Sequence, residues 1–123
     1  MDYLMISIGG ILGANARYLV ADWAAQRFGS GFPYGTFIIN ISGSFFLGLF
    51  MAFLQDRAFI HPNYRLFFAT GFCGAYTTFS TLTYESLRLF QDGSVLLGFT
   101  NLAGSLIIGM AAVLAGFLIG SAI

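Results

Sequence analysis

Charged residues are scarce in this chain of 123 residues, since only 8% are Asp, Glu, Lys or Arg, against roughly 25% in an ordinary soluble domain. Lysine is absent, and five arginines balance five acidic residues to a net charge of zero. This balance leaves no basic surface of the kind that attracts nucleic acid. Apolar residues make up 58% of the chain and the mean hydropathy is +0.83. These values exclude an ordinary soluble domain and predict a protein that lies in a lipid bilayer.

Cysteine and histidine are limited to one residue each, Cys73 and His61. A single cysteine excludes an internal disulfide and argues against a thiolate metal cluster. Because Cys73 lies in an apolar stretch, we expect it to be a small buried hydrophobic residue. The chain offers no Ser/His/Asp or Cys/His set and no pair of carboxylates within its apolar runs, so we expect no enzyme activity.

Long uncharged runs are abundant, and each of them can hold the roughly 20 residues that cross a bilayer. The first apolar run also spans, although it contains Arg17. The sequence therefore predicts an all-α membrane protein, a single four-helix transmembrane domain over residues 1–123, in a cell inner membrane or plasma membrane with several crossings. The predicted spans run from Leu4 to Ala24, Thr36 to Leu54, Leu66 to Leu89 and Val95 to Gly120.

The arginines do not specify an orientation for these four spans. Arg57 and Arg65 fall on the face that holds both termini, and Arg27 and Arg88 fall on the opposite face. Positive charge is normally enriched on the cytoplasmic side, so this equality decides nothing. One possibility is that the chain inserts in both orientations and that the two forms pair as an antiparallel dimer. The other is that a weak charge bias, or a cue other than charge, sets a single orientation.

Small residues recur at four-residue spacing in three of the spans, and a bundle of this size has little interior of its own. Such spacing permits close helix packing, either between copies or within one copy. The residues are Gly9 with Gly13, Ser44 with Gly48, and Ala112, Gly116 and Gly120.

Polar residues inside the predicted spans are candidate functional groups, because hydrocarbon penalises them unless they find partners or line a cavity. Thr36 and Asn40 share one helix face, and Asn101 and Ser105 form a second polar stripe. The amide of Asn40 offers donors and an acceptor, so it can hold an anion, a water or a neighbouring helix.

The third span is unusual because glycines and hydroxyl residues interrupt its apolar run. Glycine lowers helix propensity, and Ser and Thr hydroxyls compete for backbone groups, so we expect a break between Gly74 and Ser80. A break frees backbone groups that lipid cannot satisfy. Freed carbonyls suit a hard cation such as sodium, whereas hydroxyls and amides suit an anion.

Two charged residues leave alternatives open. Glu85, about one turn past the predicted break, either pairs with Arg88 at the far interface or is a candidate functional group within the membrane. Arg17 either extends to the membrane surface or draws anions into a vestibule.

At four places the sequence resembles the Fluc (CrcB) family of small fluoride channels, over essentially its whole length. The motifs are GGILGANARY (9–18), GTFIINISGS (35–44), GFCGAYTTFST (71–81) and NLAGS (101–105). The resemblance implies an antiparallel, dual-topology homodimer with two pores and a third helix broken at its centre. It also implies passive, fluoride-selective export that lowers the toxicity of the ion.

The resemblance assigns roles to individual residues. A structural sodium ion would be held at the dimer centre by the main-chain carbonyls of Gly74 and Thr77. The implied pore and fluoride residues are Asn40, Phe79, Ser80, Thr81, Thr36 and Ser105, with Arg17 at a vestibule and Glu85 as a further polar position. Two pore positions depart from the family pattern: Leu82 replaces a second phenylalanine, and Asn101 replaces a tyrosine.

A rival function is that of a small four-span, proton-coupled multidrug antiporter. Such a protein needs a carboxylate inside the membrane. The first span offers none before Asp22, and Glu85 is badly placed for that role. A purely structural subunit is a third possibility, but it leaves the broken third span unexplained.

Overall fold

The computed structural model describes residues 1–55 and 57–123, and every element of regular structure in these ranges is a helix. This confirms the predicted all-α class. The elements in chain order are α1 (Asp2–Phe28), α2 (Tyr34–Gln55), α3 (Asn63–Arg65), a π-helix (Leu66–Cys73), α4 (Gly74–Tyr76), α5 (Phe79–Gln91) and α6 (Val95–Ala122).

Within the described ranges, three helices are long and apolar enough to cross a membrane, namely α1, α2 and α6. They contain 27, 22 and 28 residues. At about 1.5 Å per residue, each exceeds the roughly 30 Å thickness of the hydrocarbon core. The prediction of a multi-pass membrane protein is therefore confirmed.

The predicted span from Leu66 to Leu89 is two half-helices. α3, the π-helix and α4 follow one another directly over residues 63–76 and form the first half-helix. The second half-helix is α5. Between them the backbone is extended, with φ and ψ of −80° and 157° at Thr77 and of −151° and 118° at Thr78. The break lies inside the predicted interval.

Several helices are longer than the predicted spans. The spans were placed by the length of the apolar run, whereas a helix continues through polar residues until its backbone hydrogen bonding ends. α1 was predicted to end at Ala24 and reaches Phe28, where Gly29 takes a φ of 79°. Gly93, with a φ of 84°, turns the chain between α5 and α6. Residues with positive φ end helices, and glycine adopts this conformation without a Cβ penalty.

The predicted small-residue motifs pack helices within the single chain. α2 lies along α6, and α1 lies against the π-helix. A Cβ atom on Gly48 or Gly116 would collide with backbone of the facing helix, at Val113 O and Phe45 O respectively. Gly9 meets Phe67 O across the α1 contact in the same way. Close backbone approach explains why these positions are glycine.

Few side chains are fully buried, as expected for a small bundle whose outer surface faces lipid. Cys73 is 2% exposed, which confirms the prediction of a buried hydrophobic cysteine, and Ile39 is 1% exposed. The outer surfaces of α1 and α6 carry mostly exposed apolar side chains. The buried residues lie at the contacts between helices, including those of α1 with the first half-helix and of α5 with α6.

Candidate functional site

The break in the third span is held by one residue of α2. Asn40 Nδ2 donates to the carbonyl of Thr78 at 3.0 Å, and the Thr78 N–H donates to Asn40 Oδ1 at 2.8 Å. Both polar groups of a side-chain amide are therefore paired with both polar groups of one extended residue. Unpaired backbone groups are costly inside a membrane, so this pairing stabilises the break.

The same pairing changes the hydrogen bonding of Gly74. In a continuous α-helix the Thr78 N–H would donate to the Gly74 carbonyl, four residues earlier. Here that N–H is directed to Asn40 instead. The last helical hydrogen bond of the first half-helix is donated by the Thr77 N–H to the Cys73 carbonyl, at 3.0 Å. The Gly74 carbonyl is thereby released from its helical donor.

Two further residues of α2 fix the end of the first half-helix. The hydroxyls of Ser42 and Tyr76 are 2.9 Å apart and hydrogen-bonded. Gly43 lies under Thr77, where an added Cβ would collide with Thr77 Cγ2 and lie 3.1 Å from the Tyr76 ring. Tyr76 itself is 8% exposed. The break is thus shaped by hydrogen bonds on two of its sides and by close packing at Gly43.

The second half-helix begins with a side-chain cap. Thr78 Oγ1 accepts from the Thr81 N–H at 3.2 Å and donates to Thr81 Oγ1 at 3.0 Å. A hydroxyl at the residue before a helix satisfies one of the first amides, which have no partner within the helix. The N-terminus of α5 and the C-terminus of the first half-helix meet at the break. The positive end of one helix dipole thus lies beside the negative end of the other.

A cavity of about 460 Å³ opens beside the break. None of the described side chains that line it is charged. Ser105 is 6% exposed, and its hydroxyl has no hydrogen-bond partner among the described residues. The lining combines amide and hydroxyl groups with apolar side chains: Asn40, Gly43, Ser44, Leu47, Thr77, Thr78, Phe79, Leu82, Leu102, Ser105 and Leu106.

A second cavity, of about 410 Å³, lies between the α1–α2 connection and α5. Thr36 and Glu85 both line it, and the Thr36 hydroxyl donates to Glu85 Oε1. Thr81 is a third lining residue. Arg88 lines the same cavity, so the pairing of Glu85 with Arg88 stays a prediction. The hydrogen bond that the structure shows for the Glu85 carboxylate is the one from Thr36.

The sequence-predicted residues divide between these two cavities and four other places. Asn40, Thr77, Phe79, Leu82 and Ser105 line the cavity at the break, and Thr36, Thr81 and Glu85 line the second cavity. The remaining positions are Ser80, which is exposed on the surface of α5, Gly74, which is exposed at the break, Asn101, which is fully buried, and Arg17, which is half-buried on α1.

Asn101 lies inside the bundle, where its Nδ2 donates to Ser86 Oγ at 2.9 Å. Ser86 in turn donates to the Leu82 carbonyl at 2.8 Å. The Asn101 Oδ1 is buried with no partner among the described residues. In a single chain, Asn101 therefore joins α6 to α5 and is absent from the lining of the cavity at the break.

Sequence reasoning missed Tyr76, Thr78 and Ser86 as contributors to the site. The position of Thr78, a hydroxyl residue at the start of a helix, is a signal that was available. Tyr76 and Ser86 carried no signal, because their roles depend on Ser42 and Asn101 in distant parts of the chain.

Comparison with known proteins gives concordant matches along the chain. A model of the family described as "CrcB-like protein, Camphor Resistance (CrcB)" matches residues 4–117. A protein of Koribacter versatilis named "Fluoride-specific ion channel FluC" is 50% identical over 121 residues, which cover 98% of this chain and 96% of that protein. A protein of the same name from Acidobacterium capsulatum is 46% identical, and the match covers 100% of this chain and 98% of that protein. A third protein of this name, from Solibacter usitatus, is 42% identical, and the match covers 97% of this chain and 98% of that protein.

Proposed function

The chain belongs to the CrcB-like family, and we propose that it is a fluoride-selective ion channel of the bacterial plasma membrane. The observation that carries the proposal is the uncharged cavity at the break, where hydrogen-bond donors lie in an otherwise apolar surrounding. The three relatives described above match nearly the whole chain at 42% to 50% identity, and each is named as a fluoride-specific ion channel. These names agree with the expectation of a non-enzymatic protein.

The chemistry of the cavity suits a small, strongly hydrated anion. Such an ion crosses a membrane only where donors replace its water, and Asn40 and Ser105 supply N–H and O–H donors without a fixed positive charge. Asn40 Nδ2 carries two hydrogens, and only one of them is needed for the bond to Thr78. The ring edge of Phe79 carries partial positive charge and adds a weaker attraction. Because none of the described residues that line the cavity is charged, no fixed positive charge there would hold an anion too tightly to release it.

The rival function of a proton-coupled antiporter is not favoured. Glu85 is the acidic residue nearest to the break among those that line either cavity, and its carboxylate accepts from Thr36 in the second cavity. A membrane carboxylate at the substrate site is what proton exchange requires. Among the described residues that line the cavity at the break, none carries a carboxylate.

A structural sodium ion is the second part of the proposal. No group of three or more His, Cys, Asp or Glu side chains suited to a metal occurs among the described residues. We propose that backbone oxygens hold the cation. The Gly74 carbonyl is suited to this role because it lies at the break and the Thr78 N–H, its helical donor, is bonded to Asn40 instead. The negative end of the first half-helix also favours a cation. With Thr77, two carbonyls from each of two copies would supply four oxygen ligands.

An antiparallel homodimer is the third part. Gly74, Phe79 and Ser80 are exposed in the single chain, with Phe79 78% exposed. A second copy seated on this face would cover these groups and bring the two breaks together. The nearly equal distribution of arginine described above permits both orientations.

Fluoride flux from liposomes tests the channel proposal directly. Purified protein is reconstituted with internal potassium fluoride, and efflux is followed with a fluoride electrode without a proton gradient. We expect fluoride efflux and no chloride efflux, with a direction that follows the imposed fluoride gradient. Proton-driven uptake of a cationic drug in place of fluoride efflux would establish the rival function.

Export from the cytoplasm is tested in cells. A strain without its own fluoride channel should regain growth on fluoride when it expresses this chain. Growth that stays as sensitive as in the empty strain, with the protein present in the membrane, would contradict the proposed role in lowering fluoride toxicity.

A further inference from the structure

The connection between α2 and the first half-helix carries a cluster of cationic and donor groups that the channel function does not use. A cavity of about 250 Å³ lies there, lined by Arg57, His61 and Arg65 together with Leu54, Gln55, Ala58, Ile60 and Pro62. Two of the five arginines of the chain therefore face one small space. None of the described lining residues carries a carboxylate; Asp56, next to Arg57 in sequence, lies outside the described residues.

The guanidinium of Arg57 is held in place before any ligand arrives. Its Nη1 donates to the Phe53 carbonyl at 2.6 Å, and its central carbon lies 3.9 Å from the centroid of the Phe53 ring. A guanidinium has five N–H donors, and this bond uses one of them. Arg57 therefore keeps donors in a fixed planar arrangement of the kind that matches a phosphate group.

His61 contributes a third donor. The Asn63 N–H donates to His61 Nδ1 at 3.1 Å, so Nδ1 is an acceptor and the proton of the neutral ring is on Nε2. The rigid turn around Pro62 carries this arrangement, since the Tyr64 N–H donates to the His61 carbonyl at 3.1 Å. Arg57, His61 and Arg65 together form a cationic cavity that fits a single anionic group.

An apolar groove adjoins this cationic cavity. It has a volume of about 400 Å³ and is lined by Met5, His61, Asn63, Tyr64, Phe67 and Phe68. The two spaces share His61, so a cationic pocket opens beside a surface of aromatic and aliphatic side chains. A ligand that fits both spaces has an anionic head joined to a hydrocarbon chain.

The position in the membrane agrees with such a ligand. α2 is one of the membrane-crossing helices and ends at Gln55, so the following residues lie at the level of the lipid head groups. Basic pockets between membrane helices at this level bind anionic lipid head groups.

We propose that Arg57, His61 and Arg65 bind the phosphate of an anionic phospholipid whose acyl chain lies along Met5, Tyr64, Phe67 and Phe68. The charge of two arginines complements the phosphodiester, and the adjoining groove receives the chain. The bound lipid would fix the connection to the first half-helix. This site is separate from both cavities of the channel proposal and does not depend on it.

Native mass spectrometry of the purified, delipidated full chain tests the site. Phosphatidylglycerol and phosphatidylcholine with the same acyl chains are titrated separately in a neutral detergent. We expect phosphatidylglycerol to bind at least tenfold more tightly. Arg65→Gln should weaken it about fivefold and Arg57→Gln/Arg65→Gln about 25-fold, from roughly 1 kcal/mol for each basic residue near a membrane surface. Arg27→Gln, at the far end of α1, is the matched control and should change nothing. Equal affinity for the two lipids, or an equal loss in Arg27→Gln, would overturn the proposal.

Two further measurements separate a lipid site from a site for free anions. Glycerol phosphate has the head-group chemistry without a chain and should fail to displace phosphatidylglycerol at equimolar concentration. Tyr64 is 55% exposed, so Tyr64→Ser should leave folding intact and still weaken lipid binding severalfold. Displacement by glycerol phosphate, together with full lipid affinity in Tyr64→Ser, would establish an anion site and overturn the lipid assignment. Thermal unfolding of Arg65→Gln in detergent verifies that this variant folds.

Discussion

The side-chain amide of Asn40 and the backbone of Thr78 are hydrogen-bonded in both directions, at 3.0 and 2.8 Å. One residue of α2 thus replaces the helical partners that Thr78 would otherwise have. The consequence reaches both proposed ions, because Asn40 lines the uncharged cavity and the same bond releases the Gly74 carbonyl. The proposed anion path and cation site are therefore coupled through a single side chain.

Asn40→Asp should abolish fluoride flux while the dimer still assembles. The carboxylate keeps an acceptor for the Thr78 N–H but loses the donor to the Thr78 carbonyl, and it adds a charge that repels fluoride. Leaving a buried group unsatisfied costs about 3 kcal/mol when charge is involved, so we expect flux to fall at least about a hundredfold. Liposome efflux gives the rate and size-exclusion light scattering gives the oligomeric state. Efflux within twofold of the parent would remove Asn40 from the pathway.

Gly43→Ala should destabilise the protein, and Thr77→Ser should restore part of the loss. The added Cβ would collide with Thr77 Cγ2, which serine lacks. Overpacking of this kind costs about 1–3 kcal/mol, and contacting residues couple by about 0.5–3 kcal/mol. Thermal unfolding of the parent, both single variants and the double variant in detergent measures this coupling. Strictly additive effects would show that Gly43 and Thr77 do not pack against each other.

Phe79→Ala should reduce fluoride flux with little loss of monomer stability, because Phe79 is 78% exposed in the single chain. The aromatic edge and the shape of the cavity are lost together. Leu82→Phe should be tolerated, since it adds an aromatic ring to the same cavity. Flux of the two variants is compared at equal reconstituted protein. If Phe79→Ala conducted like the parent while Leu82→Ala did not, the assignment of third-span residues to the pore would be wrong.

Thr36→Val should lower fluoride flux about tenfold, because it removes the hydroxyl that donates to Glu85 at nearly constant volume. Loss of a hydrogen bond to a charged group costs about 1.5–3 kcal/mol. The matched control is Thr83→Val on the exposed side of α5, where the hydroxyl donates only to backbone carbonyls of Phe79 and Ser80. Flux that falls equally in both variants would show a general effect of losing a threonine hydroxyl and would contradict a specific role for the Thr36–Glu85 hydrogen bond.

Gly74 and Thr77 should act on sodium through their carbonyls, so Thr77→Ser and Thr77→Val should both retain sodium dependence. A Cβ on Gly74 would lie 3.7 Å from Ala69 O, which is an ordinary contact. Gly74→Leu should therefore leave the monomer folded and weaken the dimer or its flux. Dimer affinity and flux are measured in sodium and in sodium-free medium. Indifference of the parent to sodium would overturn the cation site and leave the fluoride channel untouched.

Local composition was enough to predict the membrane class and the position of the break. Glycine and hydroxyl residues between Gly74 and Ser80 weaken a helix wherever they occur, and the extended residues Thr77 and Thr78 lie within that interval. Asn40 could be identified because an amide in an apolar run needs partners. Its actual partner could not be identified, because Thr78 lies 38 residues away in sequence.

Local hydropathy and backbone preference were sufficient to predict an all-helical membrane protein, a third span that breaks near its centre and a buried Cys73. The identity of the polar residues that meet could not be predicted in this way, because it depends on the folded chain. The tertiary structure joined Ser42 to Tyr76 and Thr36 to Glu85, and it enclosed Asn101 against Ser86 away from the cavity at the break. Helix packing sets these contacts, and packing depends on how distant surfaces fit together.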